Sequence, residues 1–424
     1  MDPRRDDRRE ENLQCVGFAA PITSAARQPQ RQLMPPFAGP MAERLAHIEP
    51  FYVMEIVKEA SRLQAAGQSI IHLSIGEPDF TAPAPVTRAA ADALASGRLQ
   101  YTQATGLTSL REAIAADYAR TFGVQIDPAR VIVTAGASAA LLLAFGSVLD
   151  VGAEVLMPDP TYPCNRHFVA AFNGTAKLVP CSPETRFQLD DALIAGNWGS
   201  RTRGVLLATP SNPTGTSIRP EVLARCVEEV RQRKGFVIVD EIYQRLCYEH
   251  APTTALALGD DIFVLNSFSK YFSMTGWRLG WMVVPPNCVG DVEKLAQNLF
   301  VCPSALAQHA ALQCFSPEAL EIYESRRAEF GRRRNFLVAE LRRLGIDVPV
   351  EPDGAFYIYA DIRRFSDDSW SFAFDLLRRS GVCLVPGRDF GRADTRHFVR
   401  ISYATDRARL EQAVDRLGRY LATR

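Results

Sequence analysis

From about residue 42 onward the apolar positions follow two rhythms. In one, they recur every three to four residues, the spacing of an amphipathic helix. This rhythm predicts helices over 55–66 (EIVKEASRLQAA), 110–122, 138–149 and 220–234, a long charged helix over about 318–344 and a last one over about 406–422. Gly67 directly follows the first of these and is a candidate C-cap, because a residue without Cβ adopts the left-handed conformation that ends a helix. The other rhythm is a short unbroken apolar run: IIHLSI (70–75), VIVTA (131–135), EVLMP (154–158), GVLLAT (204–209), FVIVD (236–240) and IFVLNS (262–267). Continuous Val/Ile/Leu runs alternating with helices predict a mostly parallel sheet covered on both faces. After about residue 320 the texture changes to hairpin-like apolar runs at 354–361, 382–386 and 397–403, which predict a second, smaller α+β domain. The expected class is therefore α/β.

Composition narrows what such a chain can do. Of 424 residues, 47% are apolar, enough for a sizeable core, and formal charge is 48 − 48 = 0. A phosphate-binding surface for nucleic acid selects a basic excess, so no nucleic-acid partner is expected. Nine cysteines are scattered without a C-x-x-C pair, and the odd count argues against a closed disulfide framework. Reduced thiols in a cytoplasmic protein are expected, with no structural metal, since the six histidines make no metal spacing. No apolar run approaches the roughly 18 residues of a membrane-spanning helix, so no membrane association is expected. Residues 1–40 differ from the rest. MDPRRDDRREEN is a mixed-charge run whose paired arginines are crowded by acids, and no apolar segment of a secretion signal follows. A disordered extension is expected there.

In open α/β sheets, ligands sit beyond the carboxyl ends of the strands. Gly136-Ala137-Ser138 follows VIVTA and opens a helix, which fits either an anion site or a tight turn capped by Ser138. Asn212, between Pro210 and Pro213, offers an amide after GVLLAT, or an ordinary Asx turn. Asp240 ends FVIVD, where a buried carboxylate needs a cation, whether a structural arginine or a protonated ring nitrogen. Lys270 follows IFVLNS with Ser267 and Ser269 beside it and Arg278 eight positions on; it is either a solvated loop lysine or a desolvated amine suited to Schiff-base chemistry. Taken together and in this order, they are the parts pyridoxal phosphate demands: a lysine, an acid for the ring nitrogen and donors for the phosphate.

SNPTG, DEIY and SFSKYFSMTGWRLGW resemble the marks of class I/II pyridoxal-phosphate aminotransferases of fold type I, nearest the aspartate aminotransferase-like subgroup. The segments IHLSIGEPDF, YTQATGLTSLREAIA, PDPTYP and VRISYA match the same family in order, so the resemblance runs from about residue 42 to the C-terminus. It implies a large cofactor-binding domain over 76–315, a small domain over 316–424 and an N-terminal arm with a small-domain segment over 41–75. It further implies that Lys270 carries pyridoxal 5′-phosphate as an imine and moves the α-proton. Asp240 would pair with the ring nitrogen, Asn212 and Tyr243 would bond the ring 3-oxygen, and Tyr162 would stack on the ring. Ala137, Ser138, Ser267, Ser269 and Arg278 would hold the phosphate, and Tyr101 would reach the phosphate of a neighbouring subunit, giving a homodimer with shared sites. Arg400 would clamp the substrate α-carboxylate, with Gly76 allowing backbone approach and Asn212 alongside. The implied reaction moves an amino group from an L-amino acid to a 2-oxo acid by a ping-pong route.

One position departs from the subgroup. Members acting on aspartate often carry lysine at the place of Ser138, so the serine puts an acidic side-chain preference in doubt and leaves room for neutral or aromatic donors. Arg332-Arg333-Arg334 reads as a solvated basic face of the long helix. Two rivals stand beside transamination. One is a C–S β-lyase on the same cofactor. The other is a non-enzymatic regulator, for which residues 1–40 are too short and aperiodic to supply a DNA-binding helix-turn-helix.

Overall fold

The alternation of residues along the central strands explains why they read as unbroken apolar runs. Val131 and Val133 enter one core while Ile132 enters the other; Leu156, Val237, Val239 and Val264 follow the first, and Val155, Met157, Ile238, Phe263 and Leu265 the second. Successive side chains of a strand point to opposite faces. A strand with a core on each face therefore reads as an unbroken apolar run, with polar residues such as Thr134, Asp240 and Ser267 standing at its end.

These relations come from a computed structural model that describes residues 39–50 and 52–424. The extension expected over 1–40 lies, apart from its last two residues, outside the described residues. Residues 39–42 belong to a separate unit and form no regular element, while Glu43–Arg424 forms one compact unit.

Within that unit the strands are β1 (Ile71–His72), β2 (Val131–Thr134), β3 (Glu154–Asp159), β4 (Thr175–Pro180), β5 (Thr202–Ala208), β6 (Phe236–Asp240), β7 (Phe263–Ser267), β8 (Gly280–Val283), β9 (Tyr357–Asp361), β10 (Val382–Cys383), β11 (Val385–Pro386) and β12 (Phe398–Ser402). Seven of them form one sheet in the order β2-β8-β7-β6-β5-β3-β4. The pairs β3–β4, β3–β5, β5–β6 and β6–β7 are parallel; β8 runs antiparallel to both β2 and β7. Helices α1 (Val53–Ala65), α2 (Ala84–Ala95), α3 (Thr108–Phe122), α4 (Ala137–Val148), α5 (Pro163–Ala171), α6 (Asp191–Asn197), α7 (Pro220–Gln232), α8 (Val289–Phe300) and α9 (Ala305–Ala311) precede the long α10 (Pro317–Arg343), with α11 (Ser369–Ser380) and α12 (Arg407–Leu421) behind it. The fold is a mostly parallel α/β sheet covered by helices, as the alternation of runs predicts.

The helix expectations hold within a residue or two at most ends. Gly67 closes α1 at φ +88°, donating to Gln64 O at 2.9 Å while Gln68 donates to Leu63 O at 3.0 Å. That pattern satisfies carbonyls the last turn leaves open.

Three expectations need correction. The run 70–75 pairs only over β1, in parallel with β10, and is not part of the large sheet. The run 382–386 is divided: β10 joins β1, whereas β11 joins the antiparallel order β11-β12-β9. Arg333 and Arg334 are not a solvated face. They are 4% and 5% exposed. Arg333 pairs with Asp79 at 2.8 Å, and Arg334 donates to the Pro352 carbonyl at 2.7 Å. Strands β4 and β8 were missed, β4 because the half-exposed run TAKLVP shows neither rhythm.

Candidate active site

The carboxyl ends of β2, β3, β5, β6 and β7 open on one cavity of about 540 Å³. Lys270 and Arg278 both stand on the connection between β7 and its antiparallel neighbour β8. This return loop brings Arg278 to the N-terminus of α4. The residue before that helix is Gly136, at φ +83°, so the N-cap is Gly136 and Ser138 lies inside the first turn, correcting the alternative in which Ser138 caps it. A Cβ at Gly136 would meet Arg278 Nη2 at 2.6 Å. Only a residue without a side chain lets the guanidinium come this near the helix end, and the left-handed φ favours glycine as well.

Asp240 ends β6 with its carboxylate toward the cavity, accepting one backbone bond from Ile242 at 3.0 Å. Burial pushes its carboxyl up to about 7, opposed by that bond and by the charge of Lys270. The Lys270 amine donates to the Gly76 carbonyl at 2.5 Å. Burial holds it down at about 8, with Arg400 and Arg278 lowering it further and Glu77 and Asp240 acting the other way.

Arg400, on β12, enters from the three-stranded sheet and is 4% exposed. It donates to Asn212 Oδ1 at 3.0 Å and to the Ser74 carbonyl at 2.7 Å, and its Nε is buried without a partner. Its guanidinium lies 4.5 Å from the Tyr357 ring centroid and 5.0 Å from that of Phe390. The Asx-turn alternative for Asn212 is thereby set aside, since its oxygen serves Arg400. Tyr243 shares a 2.9 Å hydroxyl bond with Tyr357.

All the expected site residues except Tyr101 line this cavity: Gly76, Ala137, Ser138, Tyr162, Asn212, Asp240, Tyr243, Ser267, Ser269, Lys270, Arg278 and Arg400. Tyr101 is 86% exposed and is not among the lining residues.

A family model described as aminotransferase class I and II matches residues 68–417. The chain belongs to the class I and II aminotransferases. It is 42% identical to the valine–pyruvate aminotransferase of Mycobacterium tuberculosis over 378 residues, 89% of this chain and 97% of that protein. It is 35% identical to the aspartate aminotransferase of Thermotoga maritima over 91% of this chain and all of that protein. A crystal structure of an aminotransferase from Mycobacterium tuberculosis superposes with a TM-score of 0.88 at 41% identity, covering 91% of this chain and 100% of that one. The chain is thus an enzyme that uses pyridoxal 5′-phosphate to move amino groups between amino acids and 2-oxo acids.

The aminotransferase cavity fits that cofactor on its own terms. The Asp240 carboxyl is raised by burial and makes no ion pair with a described residue, and a protonated ring nitrogen is a cation that would offset that burial. The α4 terminus beside Arg278 offers backbone N–H groups and positive charge to a phosphate. Sequence reasoning missed Tyr357, which lines the cavity from β9 and joins Tyr243 to Arg400. It also missed the apolar wall that α1 supplies through Val53, Met54 and Val57. The 3.6-residue rhythm of α1 was visible, but not which of its faces meets the site.

Proposed function

We propose that this aminotransferase works through Lys270 as the attachment point and proton carrier, with a neutral L-amino acid as donor. When bound, the pyridoxal group acts as an electron sink for the bonds at the donor α-carbon. The Lys270 amine, brought near neutrality by burial, takes the α-proton and returns it to the cofactor side. A base whose pKa lies near working pH serves in both directions. Asp240 would face the ring nitrogen with its carboxylate and favour its protonated form. Asn212 and Tyr243 would bond the ring 3-oxygen, and Tyr162 would cover a ring face. Ala137, Ser138, Ser267, Ser269 and Arg278 would hold the phosphate. Arg400 holds the donor α-carboxylate, with Asn212 alongside and the Gly76 backbone nearby. Planar paired N–H groups suit a carboxylate.

One observation carries this reading. A desolvated lysine, a desolvated acid and a buried arginine with an unpartnered N–H converge on one cavity from two different sheets. Two half-reactions sharing that cavity give ping-pong kinetics. Parallel double-reciprocal lines are expected, and intersecting lines would refute the reading.

A neutral donor is supported by Ser138 standing where a lysine would serve an acidic side chain. Among the described lining residues, the only basic ones are Lys270, Arg278 and Arg400. The name of the Mycobacterium relative, with its valine and pyruvate, points the same way. The large exposed Tyr101 ring supports a homodimer in which it reaches the neighbour's phosphate. We assign the large cofactor domain to 76–315 and the small one to 316–424, and place the enzyme in the cytoplasm; no helix among the described residues is long and apolar enough to cross a membrane. A panel of amino donors, read by which one bleaches the cofactor absorbance, tests the donor class.

A further inference from the structure

Asp389 is wholly buried, yet it belongs to none of the roles above. Its oxygens accept the first backbone N–H groups of α1: Oδ1 from Tyr52 at 3.1 Å and Oδ2 from Val53 at 3.1 Å. Helix α1 has no side-chain cap of its own, so a carboxylate more than 330 residues away does this work. A carboxylate at a helix N-terminus satisfies open donors and complements the dipole. Burial pushes its carboxyl up from the ordinary value, opposed by these two backbone bonds and by the charges of Arg400 and Arg166.

The same short segment touches the rest of the site. Phe390, the next residue, lies under the Arg400 guanidinium, and its carbonyl accepts from Thr161 at 2.8 Å, one residue before Tyr162. Residues 389–390 thus connect three parts: the start of α1, the Arg400 platform and the Tyr162 loop. On α1, Val53, Met54 and Val57 fall on one face, at helical spacing, and line the cavity. None of the three offers a hydrogen bond or charge to a substrate side chain. With the donor's carboxylate at Arg400, the distance to this wall decides which side chains fit.

We propose that the apolar face of α1 receives the donor's side chain, making branched or long apolar amino acids the preferred class, and that Asp389 is the positioning residue that fixes this wall relative to Arg400. This rests on the reading of Arg400 as the α-carboxylate clamp. Asp389 does not line the cavity and acts only through α1 and Phe390.

The test uses cofactor-loaded enzyme in single turnovers without acceptor, following loss of cofactor absorbance with L-valine, L-leucine and L-alanine. Wild type should react with valine and leucine with higher efficiency than with alanine. Asp389→Ala should lower the valine-to-alanine ratio about tenfold, the scale of losing contact with one or two methyl groups in an apolar pocket. Asp389→Asn, which retains one oxygen acceptor, should recover part of that ratio. Val57→Thr leaves the cap intact and puts a hydroxyl in the wall; it should lower the same ratio and keeps the proposal testable if Asp389→Ala fails to fold. An unchanged ratio in Val57→Thr, or equal loss for valine and alanine in Asp389→Ala, overturns the proposal. So does a wild type that reacts only with aspartate or glutamate. A wild type that reacts with no amino acid overturns instead the site reading beneath it.

Discussion

Asp240→Asn should stabilise the cofactor-free protein at pH 8 while crippling the enzyme. The Asp240 carboxyl is pushed from its ordinary 3.8 up to about 7, chiefly by burial. A difference of about three units, at about 1.4 kcal/mol each, means that holding the charge in the empty cavity costs about 4 kcal/mol as an upper bound. The folded protein binds this proton more tightly than the unfolded chain. Stability from this group is therefore fully present below pH 3.8 and is lost as pH rises toward 7. Asparagine has nearly the same shape, still accepts from the Ile242 N–H and carries no charge. It also forgoes the attraction to Lys270, which reduces the expected gain to about 1–3 kcal/mol above pH 7.

The assay is thermal unfolding of cofactor-free wild type and variant at pH 4 and pH 8. For a chain of this size a gain of about 1–3 kcal/mol moves the midpoint by about 1–4 °C. The variant should melt higher at pH 8, with little difference at pH 4. Adding pyridoxal phosphate should reverse the order, because the wild-type carboxylate then gains its cation. Turnover of the variant should fall at least about 100-fold, the scale of losing one preorganised electrostatic partner of the reacting group. A variant that melts lower than wild type at pH 8, or by the same margin at both pH values, would refute the reasoning.

Lys270→Ala should abolish transamination and remove the peptide labelled by borohydride reduction, while cofactor is still retained non-covalently; wild-type turnover would overturn the assignment. Arg400→Lys replaces a guanidinium that serves Asn212 and Ser74 at once by a single ammonium, and kcat/KM for the donor should fall about 10–100-fold, mostly through KM. Gly136→Ala puts a Cβ 2.6 Å from Arg278 Nη2 at a left-handed φ, and cofactor affinity measured by absorbance titration should weaken about tenfold, whereas an unchanged Kd would remove Arg278 from the phosphate site.

How much of this molecule could be read from its sequence follows from how far apart the interacting residues lie. The strands β2, β3, β5, β6 and β7 were legible because each has a core on both faces, so its apolar run is complete within four to seven residues. Lys270, Asp240 and Asn212 were legible for a related reason: each stands at the end of such a run, where a polar residue is conspicuous. Tyr357 was not, since it opens β9 among other buried residues, and its meaning comes from Tyr243, 114 positions away. Arg333 looked like a solvated charge until Asp79, 254 positions earlier, was brought against it. Asp389 depends on α1 at a separation of 336. Local pattern encodes the strand ends that open on the cavity, because those ends need no partner to be recognised. The residues that hold one part of the site against another carry no local signature at all. Their function exists only once distant segments have come together, and substitutions there are the ones a sequence reading would judge harmless.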